Sequence, residues 1–451
     1  MRVRLIANTA WFVACLALCG VPAWALAPLQ AQVGRLQGGG TYIFHHTSGP
    51  AVAAIELWYR APATGFGAEP VLQLSHVAAE AVAASVPITG RELSKTVAEA
   101  GGRLAITAYP DAVSVSVLVP SADAARVVRL MTSVYFAPVV TADGLRLAQH
   151  SVAEQSLRQS FNPDAILREA LFGRLFADGP ARYPAVSLKS TVDKIALDTV
   201  RAFATRAFRA ENAVLVVTGS VDRTIIANAV AGRSGDAPAE APFDSKPVAD
   251  AAPAQQSFYE PGIGMAWVGP PITDEAAATT LDFVADYLCR PDTGSLALAV
   301  QKADPDASVF GQFITLHNPG VLVVQIATPP SSQLTTEQMR GLIERSIAKL
   351  QTPLGRAEFE AAKQTFIYHL LSDLQTPVEL ADNFGWYTIE GSAEYAPMMD
   401  GEQGKYFAAI DAMTPDSIAA VARTYLARPG AVVTLATASP APAIPGAKTG
   451  T

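Results

Sequence analysis

Short apolar runs and helical stretches alternate along this chain. Thr41 to Phe44 and Ala51 to Tyr59 are rich in β-branched and aromatic residues and predict strands. Leu104 to Thr107 and Ala112 to Val119 predict a strand pair after Gly101-Gly102. Helical spacing marks Val71 to Ala84, Ala122 to Tyr135 and Thr141 through Gln159. Later, strands near Ile263 to Val268 and at Gly320 to Ile326 are interleaved with helices at Asp274 to Leu288, Thr336 to Leu350 and Arg356 to Leu374.

The order repeats. Asp193 to Ala204 precedes Phe208 and the apolar run Ala213 to Thr218, and Asp411 to Ala422 precedes Leu426 and the run Ala431 to Leu435. The offset is 218 residues (411 − 193 and 416 − 198) without a gap. In each copy a helix with Asp198 or Asp416 near its start runs into a strand with no polar alternation, the pattern of a strand buried on both faces. A tandem duplication of one α/β unit follows.

The ends and the middle differ from this pattern. Arg2 and Arg4, the short apolar stretch Ala10 to Leu18 and Ala23-Trp24-Ala25 predict a signal peptide over residues 1–25, hence an exported, periplasmic protein. Residues 232–256, rich in Ala, Pro and Asp, read as a linker between domains 26–231 and 257–440, and residues 441–451 as a disordered tail. No apolar run approaches the roughly 20 residues of a membrane span. The net charge of −8 argues against nucleic acid as a partner. Cys15 and Cys19 leave with the signal, so Cys289 stands alone in the mature chain, in an apolar helical run that predicts a buried thiol.

Candidate chemistry concentrates at His76-Val77-Ala78-Ala79-Glu80. In the inverted zincin pattern H-x-x-E-H, two His on one helix face bind zinc and the Glu activates water. Aligned on His76, the base position is Ala79 and the second ligand position is Glu80. Alanine cannot take a proton from water. A single His on an Ala-rich helix is ordinarily packed or solvated, but His76 and Glu80 are four apart and share a helix face. His45 and His46, adjacent on a strand, point to opposite faces and do not chelate together. His150, four residues before Glu154, reads as a solvated helix residue.

Several blocks stand in order. Glu69-Pro70 lies before the His76 helix, and Gly101-Gly102 leads to Ala105-x-Thr107 and Asp111. Phe208-x-x-x-Asn212 leads into Val214-Leu215-Val216-Val217-x-Gly219, and this last block recurs. In these the chain resembles the pitrilysin/insulinase-like metallopeptidases, particularly the short members related to mitochondrial processing peptidase. The resemblance implies an α+β fold of two homologous α/β halves, each a mixed sheet covered by helices, facing each other as a clamshell. It implies that peptide adds as a strand to the edge near Gly101, Gly102, Ala105 and Thr107. It places the zinc ligands at His76, Glu80 and, on a later helix, Glu154. It sets the substrate-holding Arg at Gln301 or Lys302 and the Tyr at Ser308 or Val309, so both parts of the active centre depart from the pattern.

The expectation is therefore a non-catalytic partner of a zinc-bearing homologous peptidase subunit, contributing to a peptide-binding clamshell and holding no cofactor of its own. Two alternatives stand beside it. One is an atypical zinc metallopeptidase using His76, Glu80 and Glu154, in a harder site than two His and one Glu. The other is a structural scaffold that cleaves nothing.

Overall fold

The computed structural model describes residues 31–36, 39–86, 93–185, 191–230, 238–399 and 404–436. The predicted signal peptide, the first part of the linker and the tail lie outside them. Among the described residues no helix is long and apolar enough to cross a membrane.

The first half carries strands β1 (Gln32–Arg35), β2 (Thr41–His46), β3 (Val52–Arg60), β4 (Arg103–Ala108), β5 (Ala112–Pro120) and β6 (Ala213–Gly219). Its helices are α1 (Leu74–Ala84), α2 (Leu93–Glu99), α3 (Ala124–Tyr135), α4 (Ala142–Gln159), α5 (Pro163–Leu175), α6 (Leu197–Ala207) and α7 (Arg223–Ala229). The second half carries strands β7 (Ala254–Ser257), β8 (Gly262–Val268), β9 (Ser308–Ile314), β10 (Val321–Ala327) and β11 (Ala431–Ala436). Its helices are α8 (Glu275–Cys289), α9 (Ser295–Ala303), α10 (Thr336–Leu350), α11 (Arg356–Asp373), α12 (Pro377–Glu390), α13 (Lys405–Ala412) and α14 (Pro415–Tyr425).

The two sheets share one topology. The first runs β1-β2-β6-β3-β5-β4 and the second β9-β10-β8-β11-β7. In each, a central strand (β3 or β8) lies antiparallel between two others, and a parallel strand (β2 or β7) follows on one side, with β1 added beyond β2 in the first sheet. The far edge strand, β4 or β9, pairs on one side only. The result is an α+β fold of two like halves, each a mixed sheet covered by helices. β7 starts inside the predicted linker. As a mostly exposed strand it has no apolar alternation to reveal it in sequence. Asp198 and Asp416 sit in the first turns of α6 and α14 but do not cap them. Thr414 caps α14, in a reciprocal capping box with Ser417.

What joins the halves is an exchange of helices. Along β3, Ala53, Ile55, Leu57 and Tyr59 enter a core with helices of their own half, while Ala54 and Trp58 face the other way. That second face is covered by α12, from the second half, through Leu380, Ala381 and Phe384. Reciprocally, α5 lays Leu167, Leu171 and Leu175 on Ala266, Val323 and Val433 of the second sheet. Full burial of each such Leu or Phe contributes roughly 1.5–3 kcal/mol. Contact is close enough that a β-carbon added at Gly385 would lie 2.1 Å from Trp58 Nε1.

Charge follows the exchanged helix into the seam. Glu56 accepts from Trp58 Nε1 and Ser116 Oγ, both at 2.8 Å, and shares a hydrogen bond with Asp382 of α12. At the other end of α12, Glu390 meets Asp111, and Arg60 donates to the Ile389 and Thr388 carbonyls at 2.8 and 3.0 Å. Burial, with each neighbouring carboxylate, raises Glu56 to about 8 and pushes Glu390 well up. Burial alone raises Asp111 to about 6.

Candidate functional site

Helix α1 is set by its buried face and by its first turn. Gln73, just before it, adopts a left-handed backbone conformation (φ 64°) and donates from Nε2 to Ser156 Oγ of α4 at 2.8 Å. That bond, with the apolar packing of α1 on α4, fixes which side of the helix meets which side of its neighbour. His76 is 1% exposed and Glu80 is 21% exposed. His76 Nε2 lies 3.8 Å from Glu80 Oε1, and neither ring nitrogen has a hydrogen-bond partner. Burial lowers His76 to about 4 and raises the Glu80 carboxyl. The imidazole is therefore neutral at physiological pH.

Ala79 is fully buried in the first core, and its carbonyl accepts from the Tyr135 hydroxyl at 2.9 Å. Not only is the base absent from position 79; its place is filled by packing. Glu154 does not join His76 and Glu80. It lies on an exposed part of α4, 3.7 Å from His150 and 4.0 Å from Arg158, and is 56% exposed. The residues of α4 that turn toward Glu80 are Gln155, with Nε2 3.5 Å from Glu80 Oε1, and Ser151, one turn earlier. Neighbouring residues on a helix project about 100° apart, so one step along the chain decides which side chain faces α1. Among the described residues no group of three His, Cys, Asp or Glu is placed to hold a metal ion. One neutral imidazole, one carboxyl and an amide in the third place do not fit a catalytic zinc site, which uses three His, Glu, Asp or Cys ligands.

The predicted peptide edge is a free edge. β4 ends the first sheet and pairs only with β5, Ala105 opposite Ser116 and Thr107 opposite Ser114. Gly101 has φ 73°, and a β-carbon at Gly102 would lie 2.6 Å from the Leu118 carbonyl, so the turn into this edge demands glycine. Glu80, Val97, Gly102, Leu104 and Ile106 line a cavity of about 340 Å³ beside the strand. Gln301 and Lys302 end α9, and Ser308 opens β9, where its hydroxyl donates to the Ala327 carbonyl at 3.4 Å. Val309 is also drawn into β9, opposite Ile326. His45 is buried against Phe384, and His46 is exposed, its Nδ1 donating to the Val221 carbonyl at 3.1 Å. The two do point to opposite faces.

The second half holds a polar group that the sequence did not reveal. His369 of α11 sits 3.0 Å from both carboxylate oxygens of Asp286 on α8. One turn earlier, Asp282 accepts from the Tyr406 hydroxyl at 2.8 Å and bonds Tyr387. Burial pushes Asp282 up to about 7, against the pull of those hydroxyls. Helices α4 and α11 have equal length and are offset by 214 residues (356 − 142), which sets His369 opposite Gln155. The Asp282/Asp286 spacing of four was the available signal; without the second helix in place it reads as a solvated face. Cys289, as expected, is buried and free, with burial raising its thiol.

Residues 194–366 match the family model described as the peptidase M16 inactive domain. Over that stretch the chain is similar to the inactive domain of peptidase family M16. No curated protein matches the sequence. Among solved structures, a protease from Helicobacter pylori aligns with a TM-score of 0.77 at 14% identity, over 90% of this chain and 99% of that one. A peptidase M16 inactive domain from Pseudomonas fluorescens aligns at 0.74 with 17% identity, over 91% and 98%. A chain of complex III2 from Candida albicans aligns at 0.70 with 12% identity, over 89% and 94%. At these identities the likeness is one of fold. The matched domain is the inactive one of the family, which fits a non-catalytic pitrilysin-like chain.

Proposed function

We propose that this chain is an exported, periplasmic, non-catalytic subunit that pairs with a zinc-bearing homologous peptidase subunit and presents an extended peptide along the free edge β4. One observation carries the reading: the helix of the zinc motif keeps its fold and its first ligand, while the base position, Ala79, is closed into the core. Loss of a positioned base removes on the order of 10²–10⁴ in rate, so the chain depends on another for hydrolysis. The repeated strand order of the two sheets supports an origin by tandem duplication. Likeness in fold to a chain of complex III2 favours a second reading, a structural scaffold. The atypical metallopeptidase needs Glu154 beside His76, and Glu154 is engaged by His150 and Arg158 instead.

The test is co-purification of the mature chain with a homologue that carries an intact H-x-x-E-H, followed by peptidase assays on each chain and on the mixture. Activity in the mixture, dependent on both chains, is expected. A stable complex without activity supports the scaffold. Metal content by elemental mass spectrometry, beside a His76→Ala control, decides the third case: stoichiometric zinc lost in the control overturns the proposal.

A further inference from the structure

The largest of the cavities described lies in the second half, away from the zinc-motif helix. It measures about 420 Å³, within the range of small-ligand sites, and opens between α8, α11, α12 and the edge strand β9. Phe310, Phe313, Phe366 and Leu370 give it apolar walls. Its polar groups are mostly acceptors. Arg290, the one guanidinium on the lining, is taken by Asp373 through two bonds of 2.6 and 2.8 Å. Asp286 and Asp282 then face only His369 as a further source of positive charge. His369 Nδ1 donates to the Asp286 carboxylate, whose remaining lone pairs are open to a second donor. Asn383 lines the same cavity, and its Oδ1 is buried with no hydrogen-bond partner. A buried acceptor without a donor costs about 1–3 kcal/mol, which a bound N–H would recover.

We infer that this cavity is a binding site for an organic cation: an ammonium or guanidinium group held by the Asp286 carboxylate, which His369 positions, and by Asn383 Oδ1, on a hydrocarbon stem that packs against Phe310, Phe313 and Phe366. The walls suit the stem by burial and suit the charge through the faces of the rings. The group is supplied either by a free amine or by the Lys or Arg side chain of a peptide. The inference stands independently of any pairing with a zinc-bearing subunit, since it uses only residues of this half.

Isothermal titration calorimetry on the mature protein tests it, with agmatine and phenethylamine as free cations and a capped Ala-Arg-Ala peptide as the side-chain source. Phenylethanol and the citrulline peptide are the uncharged counterparts. At least one cation is expected to bind tenfold or more tightly than its counterpart, and the tighter of the two classes identifies the source. Asp286→Asn is expected to lower that affinity at least tenfold, while Asp198→Asn, exposed in the other half, leaves it unchanged. Should Asp286→Asn fail to fold, His369→Gln and Asn383→Leu take its place, with the same loss expected. No binding by any cation, equal binding of the uncharged counterparts, or unchanged affinity in the folded cavity variants overturns the inference.

Discussion

The zinc-motif helix of the first half and its counterpart in the second occupy the same place in the same topology, yet their polar groups have opposite fates. In the first, His76 is buried without a partner, Gln155 stands in the third place, and Ala79 belongs to the core. In the second, Asp286 and His369 bond each other across the matching helices, and Asp282 is held by two tyrosines. The half that resembles a catalyst keeps the outline of a site without its bonds; the half with no such outline has the bonded, cavity-lining group. A fold specifies where side chains can meet, and only the residues present decide what the meeting does.

The sharpest way to break this contrast is to restore ligands to the first half. Because Gln155, not Glu154, faces Glu80, the double substitution Glu80→His with Gln155→Glu should give a set of two His and one Glu around His76 without touching Ala79. Zinc affinity is expected to rise by about 100-fold or more over the unsubstituted chain, read by competition with a chromogenic chelator. Glu80→His with Gln155 retained should gain far less; equal gains would mean that α4 is rotated from the position described.

Restoring the base should fail structurally. Ala79→Glu places a carboxylate in the first core with no cation beside it, and a loss of about 3 kcal/mol or more is expected in chemical denaturation. A loss below about 1 kcal/mol would mean that position 79 faces solvent.

The seam between the halves should respond to pH. Glu56 and Asp111 bind protons more tightly folded than unfolded, so stability is full below their unfolded values near pH 4 and falls as pH rises. The decline should run from about pH 4 to about 8. Glu56→Gln, measured by denaturation at several pH values, should flatten it; an unchanged slope assigns the effect elsewhere.

The smallest expected effects are opposite in sign. His76→Leu removes two buried unpartnered nitrogens and should stabilise by up to about 1 kcal/mol. His369→Leu strands Asp286 and should destabilise by about 1–2 kcal/mol. Melting temperatures that move the same way would erase the difference between the two sites.

Most elements with one apolar face, or with faces that are all apolar, were legible along the chain: β3, β5, β6, β8 and β10, and helices α3, α4, α8 and α10. The 218-residue repeat named α6/β6 and α14/β11 as copies. What escaped included the helices exchanged between halves, α5 and α12, the strands β1, β7 and β9, and the short helices α2, α7, α9 and α13. α12 turns Leu380 and Phe384 to a sheet of the other half while Trp386 reaches the Thr315 carbonyl of its own, so no single face carries its apolar residues. Helical periodicity records burial on one side, and the exchanged helices are buried on more than one. The site was half legible for a related reason. His76, Ala79 and Glu80 lie within one turn, whereas the choice between Glu154 and Gln155, and the meeting of Asp286 with His369, depend on how two distant helices are rotated against each other.

The placement of α12 on the first sheet also sets an order of events during synthesis. The chain emerges from its N-terminus, and β3, β5 and β6 are complete by Gly219, yet the helix that covers Trp58 and Ala54 ends at Glu390. For the intervening stretch the nascent first half has a sheet with one sealed face and one open apolar face. A chain cut short before Pro377 would keep that face open to aggregation and degradation.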